Sequence, residues 1–247
     1  MTTAENVIPK TLQSQVSSPE VPSARVPAGW RQSKWLVTME LIVVALIFWA
    51  DFRHLIPFSK TPLIFLFGWI SLRVRNLRWR DVGLSRYRNW KTTWAIGLLA
   101  GLLLEAFQLF VSQPILVRWL HKQPDLELFR ALIGNWKLAV LYIALAWTLA
   151  AFGEEMVYRG YLMNRVADLF NRTRSAWVIS LIGVHVAFGV AHAYQGITGI
   201  LDEGLAGLLL GVIYLRTGRN LAVPIIAHGL GDTIDFLLIF LGIYPTM

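Results

Sequence analysis

The chain has no cysteine, so disulfides, thiol nucleophiles and cysteine-ligated metals are excluded from its chemistry. It is also short of charge: 15% of its 247 residues are Asp, Glu, Lys or Arg, where an ordinary soluble domain has about 25%. Acids are the scarcer sign, 15 against 23 bases. The first 30 residues hold no apolar run long enough for a signal peptide. What the chain has in excess is apolar surface, 55% of its residues, and with so little charge this argues against a water-soluble enzyme. The formal charge of +8 would suit nucleic acid only if the bases shared a face with stacking aromatics. Instead they fall in short runs between apolar segments, so membrane lipid is the expected partner and nucleic acid is not.

A membrane-crossing helix needs about 20 apolar residues. By that measure there are seven candidates, at 35–50, 55–72, 92–117, 136–153, 176–193, 197–215 and 221–244. The second is short and holds Pro57 and Pro62, and Pro114 predicts a bend in the third, so the count spans six to eight. With the N-terminus inside, the inner segments hold 17 of the 23 bases, which fits the positive-inside rule. The expected fold is therefore all-α, a polytopic membrane helical bundle of about seven transmembrane helices with a cytoplasmic N-terminus. Three regions follow: a disordered polar tail over 1–30, N-terminal transmembrane helices over 31–134, and a catalytic membrane core over 135–247. Gly97 with Gly101, and Gly207 with Gly211, are spaced to let helices approach closely.

Ionisable groups at membrane depth are costly and mark functional candidates. In the fourth segment, Gly153-Glu154-Glu155-Met156-Val157-Tyr158-Arg159-Gly160 sets two carboxylates before an arginine. Glu155 and Arg159 are four apart and can pair, which leaves Glu154, about 100° away on an α-helix, free to act elsewhere. The same cluster would equally suit an interfacial ion pair at a helix end. In the fifth segment His185, Phe188 and His192 share a stripe, where a lone His is more often a packing residue than a catalyst. Glu154 and His192 are both 19 residues from Thr173, so a helical hairpin turning there would bring them to one level. In the seventh, His228 and Asp232 are four apart, with Asp235 beyond. Asp202 and Glu203 on the sixth either line the cavity, pair with a base or sit at a helix end. Two histidines, a free carboxylate and an aspartate beside a chain break at Gly196 and Gly199 describe a hydrolytic site.

The ordered set Glu154-Glu155-x-x-x-Arg159, Phe188-x-x-x-His192 and His228-x-x-x-Asp232 resembles the signature of the CPBP intramembrane endopeptidases, the CAAX prenyl protease type II or abortive-infection family. The resemblance covers about 135–245. It implies that Glu154 and His192 activate a water to attack a peptide carbonyl, while Glu155 and Arg159 hold the first carboxylate. His228 would stabilise the oxyanion or, with His192 and Asp232, complete a site for a divalent metal such as zinc. It further implies a peptide or protein substrate, of which prenylated C-termini are one type, and cleavage near the cytoplasmic leaflet of a bacterial plasma membrane. Family members often have Asn where this chain has Asp232, and an ionised carboxylate cannot donate to an oxyanion. Asp232 therefore fits orienting His228, or holding a cation, better than donating. No His-Glu-x-x-His occurs. Gly229-Leu230-Gly231-Asp232 also spells the Gly-x-Gly-Asp of presenilin-like aspartyl proteases, but the Tyr-Asp pair those require is absent. The other class of reading is a non-proteolytic immunity factor, adaptor or transporter with the same cluster.

Overall fold

In the computed structural model, residues 29–57 and 59–246 are described. Most of the expected 1–30 tail lies outside them. Seven helices run antiparallel in sequence: α1 (Lys34–Phe52), α2 (Thr61–Val74), α3 (Trp90–Leu120), α4 (Trp136–Leu169), α5 (Arg174–Ala191), α6 (Gly196–Arg216) and α7 (Ala222–Phe240). Six of these segments are long and apolar enough to cross a membrane. α2, with 14 residues, falls short, because Pro62 starts it late and the stretch before it is irregular. Large apolar side chains face outward all along the bundle, among them Leu46, Trp69, Leu103, Phe110 and Val186. That is the inverse of a soluble surface and the exterior a lipid solvent requires. The chain is an integral, multi-pass membrane protein.

Two interruptions bend the helical pattern. In α3 the hydrogen bonding widens to the i→i+5 pattern over Gln108–Ser112, immediately before the segment that holds Pro114. A proline has no N–H to give and its ring displaces the carbonyl four residues back, here that of Phe110. In α4 the same wide winding runs from Ala146 to Leu162, through both glutamates and Arg159. Short π segments recur at functional positions; one of 17 residues is uncommon.

Small residues then set which helices touch. A Cβ on Gly101 would stand 2.7 Å from the Ala227 carbonyl oxygen, so only glycine allows α3 to lie against α7 there. Gly207 receives the Phe188 ring, which docks α6 on α5. Both glycine pairs therefore serve packing. α4 and α5 form the hairpin that Thr173 marks: its hydroxyl caps α5 through the Ala176 N–H, and Ser180 Oγ donates to the Met163 carbonyl across the pair. At the N-terminal side, Glu40 of α1 accepts from Ser71 Oγ at 2.8 Å and from both Arg75 Nε and Nη2 on α2, at 3.2 and 3.0 Å. Glu40, an acid at membrane depth, is thus a structural pin between α1 and α2.

Candidate active site

α4 brings Glu155 into full burial, and its Oε1 takes two partners. Arg159, one turn on, donates from Nη1 at 2.6 Å, and His228 of α7 donates from Nδ1 at 3.0 Å. Arg159 is equally buried. Its Nη2 donates to the Gly207 carbonyl at 2.7 Å and its guanidinium lies 4.9 Å above the Phe188 ring. One residue pair therefore ties α4 to α5, α6 and α7. A buried ion pair offsets the desolvation of both charges only when such further hydrogen bonds complete it.

The Glu155–Arg159 pair does not hold Glu154. Because the i→i+5 winding puts more residues in each turn, Glu154 is rotated from Glu155 by less than the α-helical angle. The structure leaves it half-buried with Oε2 enclosed and without a hydrogen-bond partner. Glu155 instead joins His228, whose Nε2 stands 3.6 Å from Asp232 Oδ1. Both ring nitrogens of His228 thus face carboxylates, and Asp232 is its neighbour along α7.

His192 sits where α5 ends. Its Nδ1 donates to the Phe188 carbonyl at 2.9 Å and its ring leans on the Phe188 ring at 4.7 Å. With Nδ1 committed to a carbonyl, which can only accept, the neutral ring presents a lone pair at Nε2. Phe188 is the shared wall: it also meets the Tyr158 ring at 4.8 Å and the His228 ring at 6.5 Å. His192 and His228 thus meet at one aromatic, beside the ion pair that follows Glu154 on α4. Among the described residues no hydrogen bond links Glu154 to His192, and no three His, Asp or Glu groups converge as a metal site would demand.

His185 is buried, donates from Nδ1 to the Leu181 carbonyl at 2.5 Å, and packs over Gly207 and Gly211. Asp202 takes Ser112 Oγ at 2.5 Å and Gln108 Nε2 at 3.4 Å, while Glu203 takes Gln195 Nε2 at 3.2 Å. Neither pairs with a base; Asp202 fastens α6 to α3 just where α3 is bent. Gly229 makes room for the Trp147 indole, and Gly231 for Glu105, so both glycines of the Gly-x-Gly-Asp sequence have packing duties. Sequence reasoning gave Gly207 a packing role only, missing the carbonyl that holds Arg159, and it did not foresee the Gln195–Glu203 contact at the mouth of α6. Backbone acceptors have no residue signature, which is why Gly207 was not visible in that role.

Residues 135–234 match the family described as Type II CAAX prenyl endopeptidase Rce1-like. No curated protein and no solved structure matches the chain. The matched stretch starts at the foot of α4 and ends inside α7, so it contains Glu154, Glu155, Arg159, His192, His228 and Asp232 together. Over these residues, which take in α4, α5, α6 and most of α7, the chain is similar to the type II CAAX prenyl endopeptidases.

Proposed function

We propose that the chain is an intramembrane endopeptidase in which Glu154 and His192 activate a water against a peptide carbonyl. The observation that supports this most directly is the division of labour between adjacent carboxylates. Glu155 is held through Oε1 by both Arg159 and His228, its Oε2 enclosed without a partner, whereas Glu154 has no hydrogen bond or ion pair at all among the described residues. A carboxylate already held by an arginine is a poor proton acceptor, and one without a partner beside an imidazole lone pair is a competent one. Water entering between Glu154 and His192 Nε2 would lose its proton to one of them as its oxygen attacks. The negative charge formed on the carbonyl oxygen would lie toward the Nε2 edge of His228, whose ring is fixed by the Nδ1 bond to Glu155 and whose Nε2, 3.6 Å from Asp232, is not tied up in a hydrogen bond. Arg159 is the positioning residue: it fixes Glu155, and through Glu155 the His228 ring.

The proposed substrates are membrane-associated or lipidated proteins with CAAX-like C-termini, cleaved near the cytoplasmic leaflet. An apolar groove between α5 and α6, lined by Ile182, Val186, Val190, Leu201 and Leu205 with His185 at its floor, supports a substrate with a hydrocarbon part. No step is assigned to a metal.

The test is cleavage of a fluorogenic peptide library, farnesylated and unmodified, by the purified chain in detergent or lipid discs. Glu154→Ala, His192→Ala and His228→Ala should each lower turnover by about a hundred- to ten-thousandfold, the range general acid–base groups supply. Glu154→Ala with wild-type turnover would remove the mechanism. A chain that cleaves nothing in either library would favour the adaptor or transporter reading. Turnover abolished by a chelator and restored by zinc would bring a metal into the reaction.

A further inference from the structure

At the end of the bundle where α4 turns into α5 and α6 turns into α7, arginines outnumber acids. Arg165 and Arg172 share one carboxylate, Asp168, at 2.9 and 2.7 Å. Arg165 is buried, and its Nε and Nη1 have no acceptor. The guanidiniums of Arg172 and Arg219 both lie over the Trp177 ring, 4.9 and 5.2 Å from its centre. Arg219 has no ion-pair partner among the described residues; besides Trp177 it faces the like charge of Arg172 and the buried Tyr214. Burial and that neighbour together lower its proton affinity, so the isolated arrangement is electrostatically unfavourable.

The backbone holds this arrangement in place. Arg172 and Arg219 both adopt left-handed conformations, φ 53° and 63°, which side chains with a Cβ rarely take. The loop that carries Arg219 is fastened to the segment after α2: the Leu221 N–H donates to the Gly83 carbonyl at 2.8 Å, and Asn220 Nδ2 to the Ser85 carbonyl at 2.6 Å. Two strained arginines are thus fixed side by side at a helix-end level, over an interfacial tryptophan, with three guanidiniums to one carboxylate. Strain of this kind persists where surrounding contacts enforce it and is concentrated at binding sites.

We infer that Arg172, Arg219 and Trp177 form a binding site for an anionic phosphate group, as borne by an acidic phospholipid at the membrane interface. Guanidinium forks match phosphate oxygens in two-point hydrogen bonds and are weakly hydrated, which favours them over ammonium groups at a half-buried site. A tryptophan belongs at the headgroup level. Basic pockets between helix ends hold acidic headgroups in membrane proteins generally. The inference does not depend on whether the chain cleaves peptides.

The full chain, purified in a neutral detergent, is titrated with dioctanoyl phosphatidylglycerol, with dioctanoyl phosphatidylcholine and with inorganic phosphate, reading thermal stability and bound lipid by native mass spectrometry. Phosphatidylglycerol should bind and raise the midpoint. Arg219→Gln should weaken that binding about tenfold or more, and Arg219→Lys should recover part of it. Arg174→Gln, at an exposed position on the same end, should leave it unchanged. Stabilisation by millimolar phosphate equal to that by phosphatidylglycerol would assign the site to a free phosphate compound in place of a lipid. The inference is overturned if phosphatidylcholine binds as well as phosphatidylglycerol, if wild-type protein retains no acidic lipid, or if Arg174→Gln weakens binding as much as Arg219→Gln. If Arg219→Gln fails to fold, the wild-type lipid comparison and Arg219→Lys still decide the matter.

Discussion

Glu154 and Glu155 are chemically identical and adjacent, yet their surroundings give them opposite sensitivities. Glu155→Gln leaves the Arg159 charge buried without its counter-ion, and breaking such a pair costs about 3–5 kcal/mol. A marked fall in the denaturation midpoint in detergent is expected, together with loss of turnover as His228 loses its anchor. Glu154→Gln removes a group with no partner, so the midpoint should move by no more than about 0.5 kcal/mol in stability while turnover collapses. Equal destabilisation by the two substitutions would contradict the roles given to them. The Glu155–Arg159 pair was legible in the sequence because four residues is one helical turn. The Glu155–His228 bond was not, since 73 residues separate the two and nothing local encodes which helix α7 meets.

Among the elements, α7 holds His228 and Asp232 and is positioned from outside the family-matched stretch, by α3. A side chain at Gly101 would meet the backbone of Ala227, the residue before His228. Gly101→Val should therefore cost about 1–3 kcal/mol by overpacking and also lower turnover with all six site residues intact. Gly183, on the exposed face of α5 with nothing within 4 Å of its Cβ position, is the contrast: Gly183→Ala should leave both readings undiminished. The glycine spacing on α3 announced a close approach but not its partner. Likewise the proline in α3 announced a bend, whereas the wide winding of α4 had no proline to signal it. That winding is why an α-helical wheel overstates the angle between the two glutamates.

Seen whole, the bundle is electrically lopsided. The buried side-chain atoms without partners are donors near the α4–α5 turn, namely Arg165 Nε and Nη1 and Trp79 Nε1. Further along the bundle they are mostly acceptors, on Glu105, Gln113, Glu154, Glu155 and Asp235. The loops divide in the same way: the segments around Ser85 and Asn220 meet at one end, while Thr198 Oγ1 donates to the Lys122 carbonyl at the other. A chain without cysteine is a ready background for labelling, so single cysteines at Arg86 and Lys122 in sealed vesicles should react with an impermeant thiol reagent from opposite sides. Labelling of both from one side would refute the arrangement. Charge counting along the sequence divides the loops into the same two sets. It could not foresee that one acid, Glu40, and several bases, Arg75 and Arg165 among them, are buried as structural members, because burial depends on neighbours from other helices.

The bond between Glu155 and His228 also has a meaning in time. A chain made from its N-terminus inserts α4 first, and Glu155 can pair at once with Arg159 on its own helix. His228 arrives only with the last described helix, after α5 and α6 are in place. During synthesis the carboxylate is thus kept neutralised while the imidazole is absent, so the proposed hydrolytic site stays incomplete until the last described helix docks.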